Sequence, residues 1–320
     1  MSGTSACGLD GICICVINMC PPVISPVLLH IVNSCLIRCD IPGKWKHSLV
    51  NPIHKSGDLS NPANFRPISI IPVISKIVER VVQRQLYYYL TTNHLLSDAQ
   101  HGFRTHHSTE TALVTISDRV LLANDQNQIS LLCLLDLSKC FDVIDHSKLL
   151  QKLQLHGVHT TWFEVYLQNH TQSVSFTDAS GARQISTALP NSMGVFQGSA
   201  LGPLLYTIFS NDLSLFVPGA TVVQYADDTQ VMICGNKTAL SGLTERMERA
   251  LSSLDFWFRA NCLKVNPDKT QLIVFGSRQN LRNVTPLGVK FRERTIQPVL
   301  EVRNLGVTFD HHLSWDVHVQ

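Results

Sequence analysis

Two adjacent carboxylates, Asp227 and Asp228, stand between apolar runs in "VVQYADDTQVMI". The pattern predicts a hairpin with both acids at its tip. Like charges side by side repel, and a carboxylate taken out of water is costly unless something pairs with it. A cation is the simplest partner. A third acid, Asp136, closes the apolar run "ISLLCLLD", which reads as a strand buried on both faces. An acid at the end of such a strand meets the edge of a sheet, where ligands approach. Magnesium prefers oxygen ligands and shares its shell with substrate phosphates. Asp136, Asp227 and Asp228 together suit two magnesium ions. Such a pair stabilises both the attacking and the leaving oxygen of an in-line phosphoryl displacement. An isolated Asp-Asp is more often a solvated turn. The apolar flanks and the upstream strand-end acid argue against that here.

The elements around these acids have a readable order. Residues 41–75 are rich in Pro, Asn and Gly and predict short strands and turns. Helical periodicity follows over 76–95, with Ile77, Val78, Val81, Val82, Leu86 and Leu90, and a second helix runs from Thr109 to Asn124 in the same lobe. After the strand that ends in Asp136 comes "NSMGVFQGSALGPLLYTIFSNDL", a Gly-rich loop running into a helix. The acidic hairpin is next. Leu240, Leu243, Met247, Leu251, Leu254 and Phe258 then share one helical stripe. "TQLIVFG" reads as a strand and "VRNLGVTFD" as one more. Strand, helix, hairpin, helix, strand predicts an α+β fold: an antiparallel sheet with helices on one face. Such a sheet brings Asp136 beside Asp227.

Composition sets wider bounds. The chain has 320 residues, 44% apolar and 16% charged, which is a globular balance. A formal net charge of +2 does not announce nucleic acid, so any basic surface must be local. Ten cysteines in a chain of this length do not suggest a disulfide framework, and a reduced, intracellular protein fits better. The cluster Cys7, Cys13, Cys15, Cys20, Cys35 and Cys39 lacks a repeated C-x-x-C, so it reads as small thiols rather than zinc ligands. The fourteen histidines show no metal spacing with carboxylates. The N-terminus has no basic n-region. The apolar stretch Ile12 to Leu36 is broken by Pro21, Pro22 and Pro26. It makes a poor membrane span and reads as a short lead-in followed by an amphipathic helix.

Seven segments in chain order carry a resemblance: "WKHSLVNPIHKSGDLSNPANFRPISII", "LLSDAQHGFRTHHSTETAL", "LLDLSKCFDVIDH", "GVFQGSALGPLLY", "QYADDTQ", "LKVNPDKTQLIVFG" and "VRNLGVTFD". Together they resemble the reverse transcriptase domain of non-LTR (LINE-type) retrotransposons, most like the chicken-repeat branch. The resemblance implies a right-hand polymerase fold with fingers and palm and a thumb largely missing. It places an N-terminal helical lead-in at 1–40, fingers at 41–130, a palm with the metal site at 131–276, and a primer-grip segment with a truncated end at 277–320. The implied activity is RNA-directed DNA polymerisation: a DNA primer extended with dNTPs on an RNA template, using two Mg²⁺ ions for which Mn²⁺ substitutes.

Roles follow by position. Asp136 and Asp227 resemble the main metal ligands, with Asp228 assisting. Lys55 and Arg66 resemble residues that grip the incoming triphosphate, which a point charge and a fork of donors suit. Phe141 resembles a steric gate against a 2′-hydroxyl. Gln197 and Gly198 head the nucleotide and template loop. Lys269 resembles a proton donor to departing pyrophosphate. Tyr225 touches the primer end, and Asn304, Leu305 and Gly306 resemble the primer grip. The family implies a nuclear location.

The sequence departs from the family at Phe196, where members usually carry Pro, a residue that fixes φ in the loop. No endonuclease or RNase H pattern is read, so the expectation is a domain truncated at both ends. A catalytically silent nucleic-acid-binding relic is the alternative expectation, and a DNA-templated or primer-independent polymerase a weaker third.

Overall fold

The structure is a computed structural model, and it describes residues 8, 10–19, 21–178, 180–282, 284 and 287–319. Cys7 and Cys20 of the cysteine cluster lie outside the described residues. The chain divides into two compact units, one of residues 1–95 and 141–209, the other of residues 96–140 and 210–320.

In the first unit, the strand His47–His54 pairs antiparallel with Phe65–Ile70 and parallel with His170–Thr177. Arg183–Ile185 and Leu189–Asn191 add antiparallel to the latter. The residues 41–75 thus form strands and turns, as their Pro and Asn content predicts. The helix Val73–Thr92 buries Val78, Val82, Leu86 and Leu90 at helical spacing. The helix Pro21–Ile37 is less amphipathic than expected. It buries Val32 and Cys35 but leaves Val23, Val27, Leu29 and Ile37 exposed, because its apolar residues are spread around it. Among the described residues, no helix is long and apolar enough to cross a membrane. Cys15, Cys35 and Cys39 are free thiols, whereas Cys13 is disulfide-bonded, a departure from the fully reduced reading.

The second unit is built on a five-stranded sheet. Its order is Pro298–Val299, Lys264–Phe275, Gln128–Ser138, Asp228–Asn236, Thr221–Tyr225, antiparallel except for the first pair. Gln128–Ser138 is central, and its residues Ile129 to Cys133 are all buried, as a continuous apolar run requires. Side chains alternate between faces. Leu132, Val223, Met232, Ile273 and Phe275 meet Ala112, Leu113, Ile116 and Val120 of the helix Thr109–Asp125, with Val302 and Phe309 in the same core. That helix starts at Ser108, whose hydroxyl accepts from Thr111 N while Thr111 Oγ1 accepts from Ser108 N. The helix Leu240–Ala260 packs from the alternate face, with Leu243 against Gly235. "VRNLGVTFD" was expected as one strand, but it folds as a hairpin, Glu301–Asn304 with Val307–Asp310. Leu305 (φ +47°) and Gly306 (φ +91°) form its turn. A two-residue turn with both φ positive matches the twist of the flanking strands. Leucine in the first position hid that signal.

Candidate active site

The three acids meet at one end of the central sheet of the second unit. Leu134 pairs with Gln230 and Leu135 with Thr229 at the end of their ladder. Asp136 and Asp228 are therefore the next residues along each strand, on the face shared by Leu134 and Gln230. Tyr225 pairs with Asp228, which leaves Ala226 and Asp227 as the two-residue turn. The Asp228 carboxyl is pushed up to about 6, by partial desolvation first and then by the charges of Asp227 and Asp136. Three carboxylates gathered at one sheet end form an all-oxygen donor set suited to a hard divalent cation. They do not form a closed cage: among the described residues, no three His, Cys, Asp or Glu side chains converge to hold a metal.

Lys269 is at the same end. Across the Gln128–Ser138 and Lys264–Phe275 strands, Leu134 pairs with Gln271 but Asp136 pairs with Asn266, so residues 267–270 bulge from the ladder. Pro267 in that stretch has no N–H for a ladder. Thr270 Oγ1 donates to Asn266 O (3.0 Å) and closes the bulge. Lys269 Nζ comes to 3.6 Å from Asp136 Oδ2.

The primer-grip residues are split in availability. Leu305 and Gly306 sit at the hairpin tip, partly or fully exposed. Asn304, the third residue of that expected grip, is placed differently. It is buried, and its amide makes a reciprocal pair with Gln230: Gln230 Nε2 donates to Asn304 Oδ1 (2.9 Å), and Asn304 Nδ2 donates to Gln230 Oε1 (2.7 Å). The reciprocal pair holds the Asn304 amide in the interior. Asn304 ties its hairpin to the strand that begins at Asp228.

The residues expected to meet a nucleotide are in the first unit. Lys55 follows the end of its strand, Arg66 lies opposite Ile53, and both are exposed. Gln197 Nε2 donates to Asp142 Oδ1 (2.9 Å), and Gln197 O accepts from Ser69 N (2.7 Å). Gly198 has φ +127°, and a Cβ there would stand 2.4 Å from Ser69 O. The loop therefore hooks onto the Phe65–Ile70 strand that carries Arg66, and only Gly allows the approach. The Phe141 ring stacks on Tyr206 at 4.5 Å, and Phe196 meets the His170 ring edge-on at 4.7 Å.

The family model described as reverse transcriptase (RNA-dependent DNA polymerase) matches residues 53–309. The chain belongs to the reverse transcriptase family. The match takes in both the acidic end of the sheet and the loop at Gln197. Among curated relatives, the probable RNA-directed DNA polymerase from transposon BS of Drosophila melanogaster is 28% identical over 98% of this chain and 35% of its own length. The RNA-directed DNA polymerase from mobile element jockey of the same organism is 27% identical, over 95% of this chain and 33% of its own length. The chain thus spans about a third of the length of those relatives. The apo telomerase of Candida tropicalis, truncated from its C-terminal domain, shares the fold. It has a TM-score of 0.54 at 14% identity and covers 89% of this chain and 58% of the telomerase chain.

Two residues of this chain escaped sequence reasoning. Glu79 is buried on the apolar side of its helix. It accepts from Ser199 Oγ (2.9 Å), Ala200 N (2.7 Å) and Tyr166 Oη (2.9 Å), and burial raises its pKa against those bonds. An acid on an apolar helical stripe was the available signal. Gln100 is buried against the acidic turn, and nothing in its sequence context marks it.

Proposed function

We propose that this chain is an RNA-directed DNA polymerase of the non-LTR retrotransposon type, adding dNTPs to a DNA primer on an RNA template. The observation that carries this reading is the meeting of Asp136, Asp227 and Asp228 at the end of one sheet. Asp136 and Asp227 would hold two Mg²⁺ ions, or Mn²⁺ in their place, with Asp228 assisting. Bound there, the ions supply charge neutralisation and Lewis acidity to phosphoryl transfer.

The chain's own groups do the rest. Lys269, held near Asp136, carries the proton that the departing pyrophosphate takes. Lys55 and Arg66 bind the triphosphate, as exposed cations with N–H donors can. The Phe141 ring excludes a 2′-hydroxyl and so selects dNTPs. The backbone at Gln197 and Gly198 approaches the nucleotide. Tyr225 and the grip segment Asn304, Leu305 and Gly306 meet the primer end, with Asn304 anchoring that segment to Gln230. A nuclear location belongs to the same proposal.

The test is extension of a DNA primer on an RNA template by the purified chain, with dNTPs and with rNTPs. Phe141→Val should admit rNTPs while leaving dNTP use largely intact. A folded chain that binds template–primer but adds no nucleotide would support the silent-relic reading instead.

A further inference from the structure

Ala226, the residue before Asp227, holds φ at +55°, a left-handed value that is disfavoured once a Cβ is present. Asp227 does not share a positive φ, so the turn is of the kind that ordinarily places Gly first. An alanine persists there because the turn is gripped from outside. Gln100 is fully buried, and its amide is spent on this one place. Oε1 accepts from Ala226 N (3.0 Å) and from Gly102 N (2.8 Å), and Nε2 donates to Ala226 O (3.2 Å). Main-chain bonds flank the amide: Gln224 N donates to Ala99 O (2.7 Å) and His101 N donates to Gln224 O (2.7 Å). A Cβ on Gly102 would lie 2.2 Å from Ala226 N, so the approach needs glycine.

We propose that Gln100, seated by Gly102, is a positioning residue for the acidic turn. Its amide holds both polar backbone atoms of Ala226, which sets the direction in which Asp227 and Asp228 leave the turn. It thereby sets the affinity of the carboxylates for a divalent cation. The consequence for cation binding rests on the metal-dependent reading above; the grip on Ala226 does not.

The test uses the full chain without nucleotide or nucleic acid. Mn²⁺ binding is followed by water-proton relaxation, and amide hydrogen exchange is followed over the hairpin. Gln100→Met should weaken Mn²⁺ binding by about tenfold or more, the usual scale for groups that orient metal ligands. It should speed exchange of the Ala226 amide by about tenfold, the loss of one hydrogen bond, and leave the Leu240–Ala260 helix unchanged. Adding Ala226→Gly should restore most of the Mn²⁺ affinity, because glycine accepts the turn's φ unaided. A folded Gln100→Met protein with wild-type exchange at Ala226 and wild-type Mn²⁺ affinity overturns the proposal. So does an equal loss of affinity in the Ala226→Gly background. If Asp227→Ala with Asp228→Ala leaves Mn²⁺ binding unchanged, the metal reading fails, and exchange at Ala226 alone decides the clasp. Should Gln100→Met not fold, Gln100→Glu keeps the shape and sets an oxygen against Ala226 O. Faster exchange at Ala226 supports the proposal, and unchanged exchange overturns it.

Discussion

Lys269 Nζ lies 3.6 Å from Asp136 Oδ2, and the contact exists because residues 267–270 leave the ladder beside the central strand. Both side chains are open to solvent, Lys269 at 68% and Asp136 at 36%. An exposed pair of this kind contributes little to stability. Lys269→Gln should therefore change unfolding free energy by less than about 0.5 kcal/mol. It should slow nucleotide addition by about a hundredfold or more, as loss of a general acid does. Urea unfolding and single-turnover extension separate the two effects.

Asp228 gives a pH dependence with a defined sign. Its carboxyl is raised from 3.8 to about 6 in the folded chain, so the folded state holds a proton that the unfolded state has released between those values. Stability of the metal-free chain then falls as pH rises from about 4 to about 6 and is level above. Because Asp228 is exposed, water screens the effect, and about 1 kcal/mol is the upper scale. Asp228→Asn should raise the melting temperature at pH 7.5 in chelator and confer no gain near pH 4. Mn²⁺ binding should weaken as pH falls through about 6, since the cation competes with that proton.

The Gln230–Asn304 pair is a structural prediction. Removing one amide strands the other in a buried site, which costs about 1–3 kcal/mol. Asn304→Ala and Gln230→Ala should each destabilise on that scale. The double variant should lose less than their sum, because neither amide is then stranded. Denaturant unfolding of the four proteins measures the coupling.

Glu79 makes a parallel case in the first unit. Glu79→Ala leaves Ser199, Ala200 N and Tyr166 without their buried acceptor and should cost about 2–4 kcal/mol. Glu79→Gln keeps an acceptor oxygen and should cost less than half of that. Thermal unfolding of both variants is the check.

These cases show what the sequence could carry. The strand ending in Asp136 was legible because a run buried on both faces is apolar throughout, and the acid marks its end. The acidic hairpin was legible because its flanks are apolar and its tip is charged. The long helix from Leu240 follows the helical period of its buried residues. What stayed hidden depends on pairs brought together by the fold. Gln230 and Asn304 look like surface amides until the fold pairs them across 74 positions. Gln100 meets Ala226 across 126 positions, and nothing local to either residue encodes that contact. The hairpin at Leu305 was missed because leucine occupies a φ usually left to Asn or Gly.

Primer extension with one paired substitution tests the central claim most directly. The purified chain is given an RNA template, a DNA primer, dNTPs and Mg²⁺ or Mn²⁺, beside the Asp227→Ala, Asp228→Ala double variant, with template–primer binding measured for both. The account predicts template-directed extension by the wild type, none by the double variant, and similar binding by each. Extension that survives in the double variant, or a folded wild type that binds template–primer and adds no nucleotide, would contradict it.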